Sequence, residues 1–205
     1  MNTDVKNEQP PMFLRGVEEA PKPSVYRDLI ERAKMTGGDS WQIWNLLAFD
    51  PEAAHHLAAL SHKLMHAEAP LSQGLRELIA AYTSSLNNCD FCMKAHAAVA
   101  SELLEDNDLV WSVLRDPETA AITEQQKALL RFVRKITLTP SSITADDIQT
   151  LNTAGWDDAA IFYAISACAL FNFYNRWVMA SGVNVVADEV SMRLGARMAK
   201  CGYNR

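Results

Sequence analysis

The sequence predicts an almost wholly helical fold. Apolar residues recur three and four apart through most of the 205-residue chain, whereas few stretches show the two-residue alternation of a half-buried strand. Helix-start residues (Ser, Thr or Asp) and helix-stop residues (Gly, Asn or Pro) punctuate those apolar runs at intervals that suit helices of ordinary length.

In chain order, residues 1–23 hold Pro10, Pro11, Pro21 and Pro23, which oppose a helix and predict an extended arm packed over its own domain or over a neighbouring subunit. Residues 24–205 are expected to form a single helical domain, long enough to bury a sizeable core. A helix is expected over residues 25–33 and stops at Gly37-Gly38. Ser40 is placed to cap a short helix through Leu47, and Asp50-Pro51 to open another as far as about His66. Residues 72–86 form the next, with Leu75, Leu78, Ile79, Tyr82 and Leu86 on one face. Asn87-Asn88 breaks it, because asparagine favours turns and tolerates left-handed backbone. A partner helix then starts near Cys89 or Asp90 and runs to about Leu104. Beyond it, Glu105-Asp106-Asn107-Asp108 opens a short helix with Val110, Trp111 and Leu114. Thr123 with Gln126 reads as a capping box for a helix through Lys135. Pro140 turns the chain, Thr144 caps a helix to Thr153, and Gly155 closes it. Asp157 opens a long apolar helix to about Ser181, and residues 183–198 can form the last. A weak internal repeat is suggested by Leu71-Ser-Gln-Gly-Leu-Arg-Glu77 and Ile122-Thr-Glu-Gln-Gln-Lys-Ala128, which open similar helices.

Composition narrows the function. The formal net charge is -6 and no basic block occurs, which argues against nucleic acid as a partner. The first residues lack the apolar stretch of a signal peptide. The longest apolar run, residues 159–171, is too short to span a bilayer, so no membrane role is expected. Four cysteines are too few for a disulfide scaffold, and the expected compartment is the reducing cytoplasm, where a Cys-x-x-Cys pair reads as redox or metal chemistry.

That pair lies in the helical hairpin. Cys89, Cys92 and His96 are spaced three and four apart and share one helix face. Both cysteines fall in the first turn, where free N–H groups and the helix dipole favour a thiolate. Glu77 precedes the turn by about as far as His96 follows it, so the two fall at similar height in an antiparallel hairpin. Ala80, Ala81 and Ser84 let the helices approach closely. A carboxylate orienting an imidazole one turn from a thiol is a proton relay serving a nucleophilic cysteine. Zinc is the rival reading, with Cys89, Cys92, His96 and Glu77 as ligands, although structural zinc more often uses a second cysteine pair and none is present. His62 and His66, with His55 and His56 nearby, read as a partly exposed helix face with no evident third ligand. Cys168 reads as core and Cys201 as uninvolved. Asn172, Asn175 and Arg176 read as hydrogen-bonding or subunit-contact groups in an apolar helix. The five tryptophans read as core or interface.

The pattern of Glu77, eleven residues, Cys89, two residues, Cys92, three residues and His96 resembles the AhpD-like alkylhydroperoxidase branch of the carboxymuconolactone decarboxylase superfamily. The flanking Leu71-Ser-Gln-Gly-Leu-Arg-Glu77 and Ala95-His96-Ala97-Ala98 are similar too. Weaker similarity in residues 143–156 and in Phe173-Tyr174-Asn175-Arg176-Trp177 points to longer peroxidase-related members. Phe91 departs from the pattern, since some members carry an extra histidine between the cysteines. The resemblance implies an AhpD-like helical fold and a thiol-dependent peroxidase acting on hydrogen peroxide or alkyl hydroperoxides. It assigns peroxide attack to Cys92, resolution to Cys89, base catalysis to His96 and its orientation to Glu77. It also implies an external dithiol or protein reductant and a homo-oligomer, trimeric or hexameric. No haem, flavin or nucleotide motif is visible, so no bound cofactor is required. Two alternatives are a non-peroxidatic disulfide carrier and the lactone decarboxylase for which the superfamily is named, whose members generally lack the cysteine pair.

Overall fold

A computed structural model describes residues 10–203, which form eleven α-helices and one 3-10 turn, with no strand among the described residues. The helices are α1 (Arg15–Glu19), α2 (Val25–Thr36), α3 (Ile43–Phe49), α4 (Pro51–Met65), α5 (Gln73–Leu86), α6 (Asp90–Leu104), α7 (Asn107–Arg115), α8 (Glu124–Leu138), α9 (Ala145–Thr153), α10 (Asp158–Ser181) and α11 (Asp188–Cys201). No helix is long and apolar enough to cross a membrane among the described residues. Of the arm expected over residues 1–23, residues 1–9 lie outside the described residues. The rest carries the short helix α1, and the Phe13 amide donates to the Ser181 carbonyl at the end of α10.

Many boundaries follow from capping chemistry. Ser24, Asp50, Ser72, Asp106, Thr123 and Asp157 each accept a backbone N–H from the first turn of the helix that follows, satisfying a donor that the helix leaves unpaired. Thr123 and Gln126 form the expected reciprocal capping box. Asn88, at φ 55°, makes the left-handed step that ends α5 and lets α6 begin at Asp90.

Three helix starts differ from those the sequence predicts, and several helices run two or three residues past their expected ends. The short helix expected to be capped by Ser40 starts at Ile43, because Gln42 is drawn into a tertiary network: its amide donates to the Pro10 carbonyl and to Glu18. Glu105 does not open α7 but terminates α6 in the left-handed region, and Asp106 caps the next helix. The last helix begins at Asp188 rather than 183, since Asn184 spends its side-chain donors on the carbonyls of Pro10 and Gly182 and its backbone N–H on Gln42. At Gln42 and Asn184, local propensity loses to long-range hydrogen bonds that it cannot encode.

The main core joins α5, α8 and α10 through Leu78, Ile79, Leu129, Leu130, Ala164 and Phe171, all buried. Each large aliphatic side chain there contributes about 1.5–3 kcal/mol relative to an exposed position. A second apolar cluster surrounds the cysteines, drawing on Met12, Trp41, Trp44, Phe91 and Met198. Between the clusters lies the α5–α6 hairpin, whose fully buried Ala80, Ala81, Ala97 and Ala100 permit close approach of the two helices. Helix α11 docks on α6 where Gly195 meets Ala98, a spot at which any β-carbon would come within 2.6 Å of the alanine methyl.

Candidate active site

The hairpin places Glu77 on α5 opposite His96 on α6. Both are buried, at 2% and 8% exposure, and His96 Nδ1 lies 2.7 Å from Glu77 Oε2. With the carboxylate ionised, Nδ1 donates the hydrogen bond and Nε2 carries the lone pair. The His96 ring packs edge-to-face with Phe171 of α10, 4.2 Å between centroids, which restrains the plane of the imidazole.

Cys89 is the N-cap residue of α6 and Cys92 lies in its first turn; both are buried free thiols. The two thiols are hydrogen-bonded, and the pair is polarised. The hydrogen bond from Cys92 is the main influence that lowers the Cys89 thiol, working against burial. Cys92 is pushed well above an ordinary thiol, first because it donates to Cys89 and then because it is buried. The Cys92 thiol thus favours ionisation of Cys89 while holding its own proton more tightly. Asn175 of α10 favours ionisation of both sulfurs through its side-chain amide. Its position is set by a hydrogen bond to Ser84 Oγ at 2.9 Å, and Asn87 in the hairpin turn donates to its Oδ1 at 2.9 Å. From the sequence Asn175 reads as a hydrogen-bonding or subunit-contact group; the fold puts its hydrogen bonding at the thiols.

The two cysteines open to different spaces. Cys92 and His96 line an apolar cavity of about 80 Å³ walled by Trp41, Trp44, Phe91 and Tyr203, among others. Cys89 lines a separate cleft with Asn88, Asp90, Val178 and Gly182.

One residue at the site was not singled out from the sequence. The Tyr203 hydroxyl donates to Glu77 Oε1 at 2.7 Å and lies 3.4 Å from His96 Nδ1. No spacing rule reveals it, because it is separated from Glu77 by 126 residues. Burial and the neighbouring Glu77 charge hold its phenol well above the usual range, so it stays protonated.

Other candidates fall elsewhere. His55 and His56 are exposed on α4, while the rings of His62 and His66 lie 5.0 Å apart and pack against Gly202. Among the described residues no group of three or more His, Cys, Asp or Glu side chains converges as a metal site. Cys168 is buried beside Thr137, and desolvation raises its thiol. Cys201 is exposed. Arg176 is exposed and donates to Asn172. Arg76, next to Glu77, is fully buried, donating to the carbonyls of Leu64 and Ala67 at 2.8 Å, and so ties the end of α4 to α5.

Residues 51–135, from α4 into α8, match the family model described as carboxymuconolactone decarboxylase family. The chain is similar to the uncharacterized protein YdfG of Bacillus subtilis (strain 168), 24% identical over 115 residues that cover 56% of this chain and 78% of the relative. Among solved structures it resembles an uncharacterized peroxidase-related protein from Silicibacter sp. TM1040, with TM-score 0.77 and 26% identity over 89% of this chain and 95% of that one. It also resembles a peroxidase-related protein with an alkylhydroperoxidase AhpD core from Ralstonia eutropha JMP134, with TM-score 0.74 and 22% identity over 92% and 98%. A third likeness, in fold alone, is to a variant of the debrominase Bmp8 in complex with 2,3,4-tribromopyrrole, with TM-score 0.64 and 18% identity over 77% and 81%.

Proposed function

This chain belongs to the AhpD-like and carboxymuconolactone decarboxylase superfamily, and from that premise we propose that it is a thiol-dependent peroxidase. The observation that carries the proposal is the shared cavity of Cys92 and His96, with His96 anchored to a buried carboxylate and a second thiol bonded to the first.

Peroxide enters the aromatic-lined cavity. His96 Nε2 removes the Cys92 proton as the sulfur attacks one peroxide oxygen, and the Glu77 carboxylate stabilises the imidazolium that forms. The O–O bond breaks, the proton leaves with the departing oxygen as water or alcohol, and Cys92 becomes a sulfenic acid, two electrons oxidised. The Cys89 sulfur then attacks the Cys92 sulfur and the S–O bond breaks; the departing hydroxide takes up the Cys89 thiol proton, or one from solvent, and leaves as water as the Cys89–Cys92 disulfide closes. An external dithiol, small or carried on a protein, returns two electrons by exchange. The N-capping position of Cys89 and its separate cleft suit it to meet that reductant. The assembly proposed is a homo-oligomer, supported by the exposed apolar face of α10 formed by Phe162, Ile165, Phe173 and Met179.

The test is stopped-flow mixing of pre-reduced protein with hydrogen peroxide and an alkyl hydroperoxide, with the thiols counted by mass spectrometry. One equivalent of peroxide should convert Cys89 and Cys92 into a mutual disulfide. Cys89→Ser should stall as a sulfenic acid on Cys92, and Cys92→Ser should not turn over; a sulfenic acid on Cys89 in Cys92→Ser would exchange the two roles.

A second reading, a disulfide carrier that consumes no peroxide, is favoured by one observation, the lowered thiol of Cys89 on a cleft of its own. It predicts rapid exchange with a dithiol and thiols that survive peroxide.

A further inference from the structure

Glu77 is a buried carboxylate, and such a group remains ionised only where hydrogen-bond donors replace the water it has lost. Two donors reach it among the described residues, one on each oxygen: His96 Nδ1 on Oε2 and the Tyr203 hydroxyl on Oε1, each at 2.7 Å. The Tyr203 ring also lies parallel to the His96 imidazole, at 6° and 6.3 Å between centroids.

The chain path to this contact is specific. Helix α11 is seated on α6 by Gly195 against Ala98 and ends at Gly202, whose backbone N–H bonds the Met198 carbonyl. Gly202 has φ +67°, and a β-carbon there would sit 2.7 Å from both His62 Nδ1 and His66 Cγ. Only glycine meets both conditions, and it turns the chain so that Tyr203 enters the cavity wall beside Cys92 and His96.

We infer that Tyr203 is a positioning residue of the proton relay: its hydroxyl anchors Glu77 Oε1 and so keeps Oε2 aimed at His96 Nδ1, with Nε2 left as the base facing the chemistry. Tyr203 lies outside the residues 51–135 that match the family, so the relay is completed by the segment that follows the last helix rather than by the hairpin alone. The phenol suits the task, because burial and Glu77 hold it protonated and it donates across the working pH range. The titratable and charged groups around the dyad are His62 and His66 on α4, Arg76 on α5, Cys92 on α6, Tyr26 on α2 and Tyr174 on α10. They form a background that substitution of Tyr203 leaves in place.

The rate consequence rests on the peroxidase reading, but the hydrogen bond is testable without peroxide. In full-length protein, Tyr203→Phe removes the hydroxyl and keeps the ring, while Gly202→Ala keeps the hydroxyl and displaces it. For each, proton uptake and tautomer of the His96 ring are followed by nitrogen NMR, and the pH profile of Cys92 oxidation by hydrogen peroxide is recorded beside it. A carboxylate that loses one charge-assisted donor holds a proton to higher pH. Both variants should therefore move proton uptake by the Glu77–His96 pair, and the acid limb of the profile, to higher pH. Nδ1 protonation of neutral His96 should also fall. Unchanged proton uptake and tautomer in a folded variant, whatever happens to its melting temperature, overturns the inference, and either variant alone suffices. Wild-type protein that ignores peroxide while the NMR shift occurs rejects the peroxidase reading and leaves the role of Tyr203 standing.

Discussion

Replacing Glu77 by glutamine keeps the size of the side chain and both of its contacts but removes the charge that faces His96. The 2.7 Å bond to His96 Nδ1 is charge-assisted, of a kind contributing about 1.5–3 kcal/mol, whereas a neutral amide in its place contributes about 0.5–1.5 kcal/mol. The difference is felt most when His96 takes the proton of Cys92, because a buried imidazolium then loses its counter-ion. The mid-range difference is about 1.3 kcal/mol and about 1.4 kcal/mol is a factor of ten, so roughly tenfold slower oxidation of Cys92 is expected. If the glutamine presents its amide nitrogen to Nδ1, the imidazole is forced into the opposite tautomer. Nε2 is then no longer a base, and the loss approaches the ~10²–10⁴-fold span of general base catalysis. Stability should change little, because a buried charge is exchanged for a neutral group with the same hydrogen-bond partners. The assay is stopped-flow oxidation of pre-reduced protein across the pH range, paired with a thermal melt. A rate equal to wild type at every pH, in a folded variant, would remove Glu77 from the relay.

Further outcomes follow from the same geometry. Since the Cys92 hydrogen bond is what chiefly lowers the Cys89 thiol, alkylation of Cys89 in wild type should rise at lower pH than for an ordinary thiol. Cys92→Ala should move that rise to higher pH, and Cys92→Ser, which keeps a donor, should move it less; identical profiles would show that the two thiols are independent. Asn175→Leu should slow thiol alkylation and loosen the hairpin turn, seen as faster amide exchange at Asn87 and Asn88, because Asn175 links the turn to the sulfurs; unchanged alkylation would limit Asn175 to packing. Leu130→Ala, at a fully buried position in the main core, should cost about 2–5 kcal/mol in denaturant unfolding, and a cost under about 1 kcal/mol would mean that the core relaxes around the gap.

Much of the site was legible because it is local. Glu77, Cys89, Cys92 and His96 lie within twenty residues on two consecutive helices, and the helical period with a two-residue Asn87-Asn88 break is enough to bring the carboxylate opposite the imidazole. Cap residues such as Ser72, Asp50 and Thr123 marked helix starts for the same reason, since each bonds within its own first turn. Where the reading missed a boundary, as at Gln42 and Asn184, a side chain had a partner more than thirty residues away.

Sequence by itself therefore determined the helical class, the hairpin and the four polar groups it carries, because these depend on contacts between near neighbours. Tertiary structure alone decided how the cysteines divide between two spaces, since the walls of those spaces include Trp41, Met198 and Val178, which arrive from distant parts of the chain. It alone decided that Tyr203 closes the hydrogen bonds of Glu77. That contact exists only because Gly195 lets α11 lie close on α6 and Gly202 turns the chain inward. A pairing across 126 residues leaves no periodic trace in a sequence; it is set by the packing of one helix against another.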